Sequence, residues 1–183
     1  GVRSAPSPAG RRAGAEPVRA DGGRIGVVLS HGFTGSPASM TPWGRQLAGL
    51  GYSVRVPRLP GHGTTWKEMN RTRWQDWYAE LDGALTDLHD RCDQVVVAGL
   101  SMGGCLALRL AEQRPQDVDA LVLVNPAVNV SRFDIKLVPA LQWVVPAMPG
   151  IGNDIKKPGM DEIGYDKTPL KALASQIKMW KEV

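Results

Sequence analysis

The chain has 183 residues, of which 43% are hydrophobic and 22% charged, with a net charge of +4. That length and balance fit one domain burying roughly 70% of its unfolded surface, and they exclude a disordered or collagen-like chain. No run of about 18 apolar residues is present, and the chain opens at Gly1 without the continuous apolar stretch of a secretion signal, so a cytoplasmic protein with no membrane span is expected. An opening residue other than Met keeps a processed N-terminus or a fragment in view.

In chain order, residues 1–23 come first. They carry Arg3, Arg11, Arg12 and Arg19 against Glu16 and Asp21, half of the net charge, in a background of Ala, Gly and Pro. This composition predicts a flexible basic tail. Lys and Arg are not gathered with stacking aromatics in the remaining sequence, so nucleic acid is not an expected partner.

From residue 24 to 126, short apolar runs alternate with helical periodicity. Ile25–Ser30, Tyr52–Val56, Gln94–Ala98 and Ala120–Val124 read as strands covered on both faces. Met40, Trp43, Leu47 and Leu50 recur at helical spacing, with Gly51 where a C-terminal cap belongs. Trp74, Trp77, Tyr78, Leu81, Leu85 and Leu88 form a longer stripe that predicts a core-facing helix, opened by a capping box of Thr72 and Gln75. Strand, helix, strand, helix predicts an α/β fold around a parallel sheet. Cys92 and Cys105 have the placement of buried thiols in a reducing compartment. His31, His62 and His89 lack zinc-site spacing, so no metal is expected.

The chemistry gathers after the third apolar strand. Gly99-Leu100-Ser101-Met102-Gly103 is a G-x-S-x-G pentapeptide with a strand before it and a helical run after it. Such a turn raises a serine hydroxyl above the sheet, and the helix N-terminus offers backbone donors and a positive dipole end. His31-Gly32-Phe33-Thr34-Gly35 follows the first strand, where a hydrolase of this design keeps its second oxyanion-binding loop. Ser101 is therefore the candidate nucleophile, and the main-chain N–H groups of Phe33 and Met102 the candidate oxyanion donors. The place of His31 in the turn assigns it to shaping that loop rather than to the role of base.

Together with Leu59-Pro-Gly-His62-Gly63 and Val124-Asn-Pro126, these segments make the chain from about residue 15 onward resemble the bacterial carboxylesterases and monoacylglycerol lipases of the α/β-hydrolase fold. The resemblance implies Ser101 as nucleophile, Phe33 and Met102 as oxyanion donors, a structural His62, carboxylic esters as small-molecule substrates, and no cofactor. It also implies that residues 127–183 form a small cap and the start of a return to the core. The apolar set Leu137, Val138, Leu141, Trp143, Val144, Val145 and Met148 would suit a cap lining an acyl-chain pocket. Thr168-Pro169 reads as the N-cap and first residue of a helix carrying Leu170, Leu173, Ile177 and Trp180.

Two features do not fit a complete enzyme. The fold's chain order is Ser, then Asp or Glu, then His, yet no histidine follows Ser101. The acids after it, including Asp119, Asp134, Asp154, Asp161 and Glu162, do not follow a strand of the required kind, and Asp119 stands at the wrong end of its strand. A wholly apolar Ala120–Val124 strand would also be a bare sheet edge. The expectation is the N-terminal two-thirds of a hydrolase, nearly inactive by itself, with a C-terminal fragment of the same protein as its partner and the triad Asp and His outside this chain. A non-catalytic module binding an acyl ligand or a protein, and a thioesterase or acyltransferase on the same nucleophile, are the alternatives.

Overall fold

The computed structural model describes residues 10–127, 133–150 and 164–183. The first nine residues of the expected tail, with Arg3, lie outside them, as do Asp154, Asp161 and Glu162 of the expected cap region. A mostly parallel sheet is built from β1 (Val18–Ala20), β2 (Ile25–Ser30), β3 (Ser53–Val56), β4 (Gln94–Leu100) and β5 (Ala120–Val124), in the order β1-β3-β2-β4-β5. Only β1 is antiparallel to its neighbour. Helices α1 (Thr41–Gly49), α3 (Trp74–His89) and α4 (Met102–Gln113) connect the strands, and a one-turn α2 (Trp66–Met69) precedes α3.

The helix stripes bury as their periodicity requires. Trp77, Leu81, Leu85 and Leu88 of α3 are fully buried and share a core cluster with Val28, Val95, Val97 and the apolar face of α4. On the other side of the sheet, Met40 and Leu47 pack with Val27, Leu29, Val54 and Val56. Gly51 ends α1 with φ +93, its N–H donating to Ala48 O while Tyr52 N–H donates to Leu47 O, a left-handed cap that a side chain would disfavour.

Three local expectations are corrected. Residues 10–23 are not a free tail: β1 pairs with β3, Ala15 is fully buried, and Arg12 donates to Gly164 O. The cause is Arg55 on β3, buried at 6% side-chain exposure, whose guanidinium binds Asp87 and Asp21 at 2.5 Å and Ala20 O at 2.9 Å, fastening the segment across the sheet. Helix α3 starts one residue later than Thr72 suggested: the Thr72 hydroxyl donates to Met69 O and accepts from the Trp77 indole, while Asp76, not Gln75, accepts the Arg73 N–H. Thr168-Pro169 does not cap a helix by its own side chains. Residues Lys167–Pro169 form β7, antiparallel to β6 (Ala147–Pro149), and α6 (Leu170–Met179) has its first N–H, from Leu170, accepted by Pro146 O and the next two, from Lys171 and Ala172, by Asn70 Oδ1.

Beyond β5, α5 (Phe133–Leu141) lies on α6 through Val138, Leu170 and Ala174, and α6 sends Ala172 and Met179 into the main core. Strand β5 pairs with β4 alone among the described residues, and Val122, Leu123 and Val124 are 37–42% exposed. The bare edge expected from its apolar sequence is present. Among the described residues no helix is long and apolar enough to cross a membrane.

Candidate active site

Ser101 sits between the last residue of β4 and the first of α4, with φ 55 and ψ −119. A non-glycine residue with this backbone stores on the order of 1–3 kcal/mol and persists only where its surroundings over-determine it. The surroundings are specific. Ser101 N–H donates to Val124 O at 3.0 Å, and Ser101 O accepts from Ala127 N–H at 3.0 Å and from Gly104 N–H at 2.9 Å. The turn is also clamped by close backbone approach: a methyl group on Gly99 would stand 2.2 Å from Gly103 O, and one on Gly103 would stand 2.4 Å from Ser30 O and 2.5 Å from His31 O. Both glycines of the pentapeptide are thus required by contact, which brings the end of β2 against the start of α4.

That contact places the His31–Gly35 loop beside the serine. A methyl group on Gly32 would lie 3.3 Å from Ser101 Cβ and 3.8 Å from its Oγ. The loop is a tight turn in which Gly35 N–H donates to Gly32 O, and Thr34 has φ +59. Phe33 lays its ring edge-on to Trp77, 6.0 Å between centroids. Among the described residues neither Phe33 N–H nor Met102 N–H has a hydrogen-bond partner, and Met102 N–H belongs to the first turn of the 12-residue α4. Both expected donor N–H groups are therefore without a partner among the described residues, while the Met102 side chain is fully buried.

None of the three histidines makes a hydrogen bond to Ser101. His31 is fully buried: Leu59 N–H donates to its Nε2 at 3.2 Å, so Nδ1 carries the proton and donates to Gly32 O at 3.0 Å. With its one lone pair occupied it shapes the loop, as its position suggested. His62 donates from Nδ1 to Pro60 O at 3.0 Å, is fully buried with Nε2 lacking a partner, and packs against His31 at 5.0 Å and Trp77 at 5.3 Å between ring centroids. His89 lies at the far end of α3, 3.3 Å from Asp117. Asp119 is spent at the opposite end of β4, accepting Val95 N–H at 2.7 Å.

The buried imidazoles titrate accordingly. Burial pushes the His31 pKa down to about 4 and that of His62 well below 6.5. The unfolded chain binds these protons near pH 6.5 and the folded chain does not, so the stability of the neutral pair is fully present above pH 6.5 and falls as pH drops toward 4. For His31 alone the loss is about 3 kcal/mol. Urea unfolding at pH 7.5 and pH 4.5 is expected to show a loss of at least that order, and equal midpoints would contradict it.

The brace on Ser101 from Val124 and Ala127 was not assigned from sequence. Val124-Asn125-Pro126 carried only a likeness, although Asn125, at φ 44, and Pro126, 3.0 Å from a methyl on Gly104, shape the turn that delivers both bonds. Tyr165 was missed as well. Its hydroxyl donates to Gly61 O at 2.6 Å and accepts Thr64 N–H at 3.0 Å, fixing the Leu59–Gly63 loop behind the histidines. Among the described residues no three His, Cys, Asp or Glu side chains are arranged to hold a metal ion.

Residues 24–165 match the family model described as Serine aminopeptidase, S33. The chain is 42% identical over 166 residues to a thermostable monoacylglycerol lipase of Bacillus sp. (strain H-257), covering 91% of this chain and 66% of that protein. It is 34% identical over 101 residues to a carboxylesterase of Bacillus subtilis (strain 168), of which it covers 41%. A solved structure of a metagenome-derived lipolytic enzyme, from work on LipS and LipT, superposes with a TM-score of 0.89 at 40% identity, covering 93% of this chain and 69% of that one. A monoacylglycerol lipase of Paleococcus ferrophilus, at 19% identity and TM-score 0.69, shares the fold. The chain thus spans just under two thirds of the Bacillus lipase and less than half of the Bacillus subtilis carboxylesterase.

Proposed function

The chain belongs to the serine aminopeptidase S33 family and has the α/β-hydrolase fold, and from that premise we propose that it is the nucleophile-bearing part of a serine carboxylic-ester hydrolase of carboxylesterase or monoacylglycerol lipase type. The observation that carries this reading is Ser101 held at φ 55 beside the His31–Gly35 loop. Ser101 Oγ attacks the ester carbonyl as a base takes its proton. The carbonyl oxygen becomes an oxyanion that accepts from the N–H groups of Phe33 and Met102, each such donor being worth about 10²–10³ in kcat. Collapse expels the alcohol and leaves an acyl group on Ser101, which water then releases as the carboxylic acid.

The base is not among the three histidines of this chain, and in the whole protein it is supplied by residues outside these 183. They would dock along β5, whose free edge adjoins the strand that leads to Ser101. Helix α5, with Leu137 and Leu141 exposed, serves as part of an apolar cap over the acyl chain. Two unbridged cysteines, Cys92 and Cys105, support a cytoplasmic setting.

The test is covalent capture. A fluorophosphonate probe is expected to label Ser101 in the whole protein, where the base is present, as identified by peptide mass spectrometry, and Ser101→Ala should abolish the adduct. A probe that reacts equally with Ser101→Ala, or attaches elsewhere, would refute the assignment.

A further inference from the structure

Six of the twelve arginines among the described residues, Arg19, Arg24, Arg55, Arg91, Arg109 and Arg114, lie in ion pairs, and Arg73 is among those that do not. A hollow of about 250 Å³ between the start of α3 and the outer face of α6 is lined by Arg73, Lys171 and Lys178, with Trp74, Gln142 and Ser175, and its lining includes no acid. Among the described residues none of the three cations forms an ion pair. The nearest carboxylate by sequence, Asp76, is occupied by the Arg73 N–H. Lys171 and Lys178 are seven residues apart on α6 and so share one face, and Arg73 Nη1 is steadied by Asn70 O and Thr72 O at 3.0 and 2.7 Å. Three like charges therefore line a polar recess with no ion-pair partner among the described residues.

The second half of the feature lies immediately beside it. Trp143 and Val144, which follow Gln142 on the rim, are 78% and 82% exposed. The Lys171 ammonium stands 5.6 Å from the centre of the Trp143 ring, so the aromatic face and the cationic hollow are one continuous surface. A free anion would use the hollow and leave Trp143 and Val144 without a role. A nucleic acid would use the tryptophan as a stacking platform but gains nothing from an adjacent valine. An indole beside an aliphatic side chain, next to unpaired cations, is the composition suited to a lipid–water interface, where the ring sits at headgroup level and ammonium groups meet phosphate.

We propose that the Arg73–Lys171–Lys178 hollow and the adjoining Trp143–Val144 pair form a docking surface for a bilayer carrying anionic phospholipid headgroups. The cations set the preference for anionic lipid, and the two exposed side chains enter the headgroup boundary. The surface acts by binding and does not depend on the chemistry of Ser101.

The test is cosedimentation of the chain with vesicles of phosphatidylcholine alone and of phosphatidylcholine with 30% phosphatidylglycerol, at about 0.1 M salt. Tighter binding to the anionic vesicles is expected, weakening as salt rises. Each neutralised cation should cost about five-fold, so K171Q/K178Q should bind the anionic vesicles roughly 25-fold less tightly. W143A should weaken binding to both vesicle types. Circular dichroism melting of each variant confirms that the fold is intact, since Trp143 and Lys178 are exposed. Equal binding to both vesicles, or binding that K171Q/K178Q leaves unchanged, would assign adsorption to the bare β5 edge and overturn the proposal. Full competition by millimolar glycerol phosphate with no effect of W143A would assign the hollow to a free phosphate ester, and capture of polyglutamate in preference to anionic vesicles would assign it to an acidic protein. Either result also overturns it.

Discussion

Turnover of an activated ester by the 183-residue chain is expected to fall about 10⁴–10⁶-fold below that of a full-length relative, the scale of losing a triad base. The expectation rests on where the three histidines are. His31 has its acceptor nitrogen filled by Leu59 N–H, and His62 is walled in by His31, Phe33 and Trp77. His89 precedes β4 whereas Ser101 follows it, so the seven-residue strand puts roughly 20 Å between them. A serine hydroxyl with oxyanion donors but no base keeps only the residual rate that binding and the donors supply. Initial rates with a p-nitrophenyl ester decide the matter. A rate close to the relative's, lost in Ser101→Ala, would mean that another group of this chain takes the proton. Fluorophosphonate labelling of the 183-residue chain should fall in parallel, because the probe also needs a base to take the serine proton.

The second large effect is expected from Gly103→Ala. The added methyl would lie 2.4, 2.5 and 2.8 Å from Ser30 O, His31 O and Ser30 C, all backbone atoms of the β2 end. No side chain can swing aside to make room, so either α4 or the end of β2 must move. A loss of about 4 kcal/mol is expected, at the upper end for single substitutions, with the urea midpoint as the measurement. Labelling of Ser101 should fall with it, because the same contact sets the distance between the serine and the Gly32 loop. Gly83→Ala on α3 is the matched control: nothing lies within 4 Å of the added methyl, and the helix should gain about 0.5–1 kcal/mol from the better helix former. A Gly103→Ala midpoint equal to the parent's would contradict the close approach.

The four apolar strands and the sharp turn that holds Ser101 were legible in the sequence because their causes are local. Buried parallel strands read as short apolar runs, and a strained serine needs small residues two positions either side. Gly99 and Gly103 are separated from backbone by contacts that only glycine permits. The features that were misread have distant causes. Asn70 caps α6 from about 100 positions away, Arg55 orders residues 18–23 through Asp21 and Ala20, and Thr72 lost its capping role to the indole of Trp77. Spacing rules see a side chain's neighbours along the chain, whereas these hydroxyls, amides and guanidinium groups are claimed by partners brought in through the fold. Strand β1 was hidden for a related reason: three residues on a sheet edge need little hydrophobicity when a buried arginine holds the segment.

The brace on Ser101 has a consequence for the order in which the molecule is assembled. Among the described residues, the hydrogen bonds that hold the serine's backbone, to Val124 O and from Ala127, Gly104 and Cys105 N–H, all come from within 26 positions of it in the chain, and the glycine clamp adds Ser30 and His31. The serine's backbone is thus positioned by residues no later in the chain than 127, whereas the core beneath Met102 closes only when Tyr165, Ala172 and Met179 arrive, so during synthesis from the N-terminus the turn can be bonded before the core behind it is sealed.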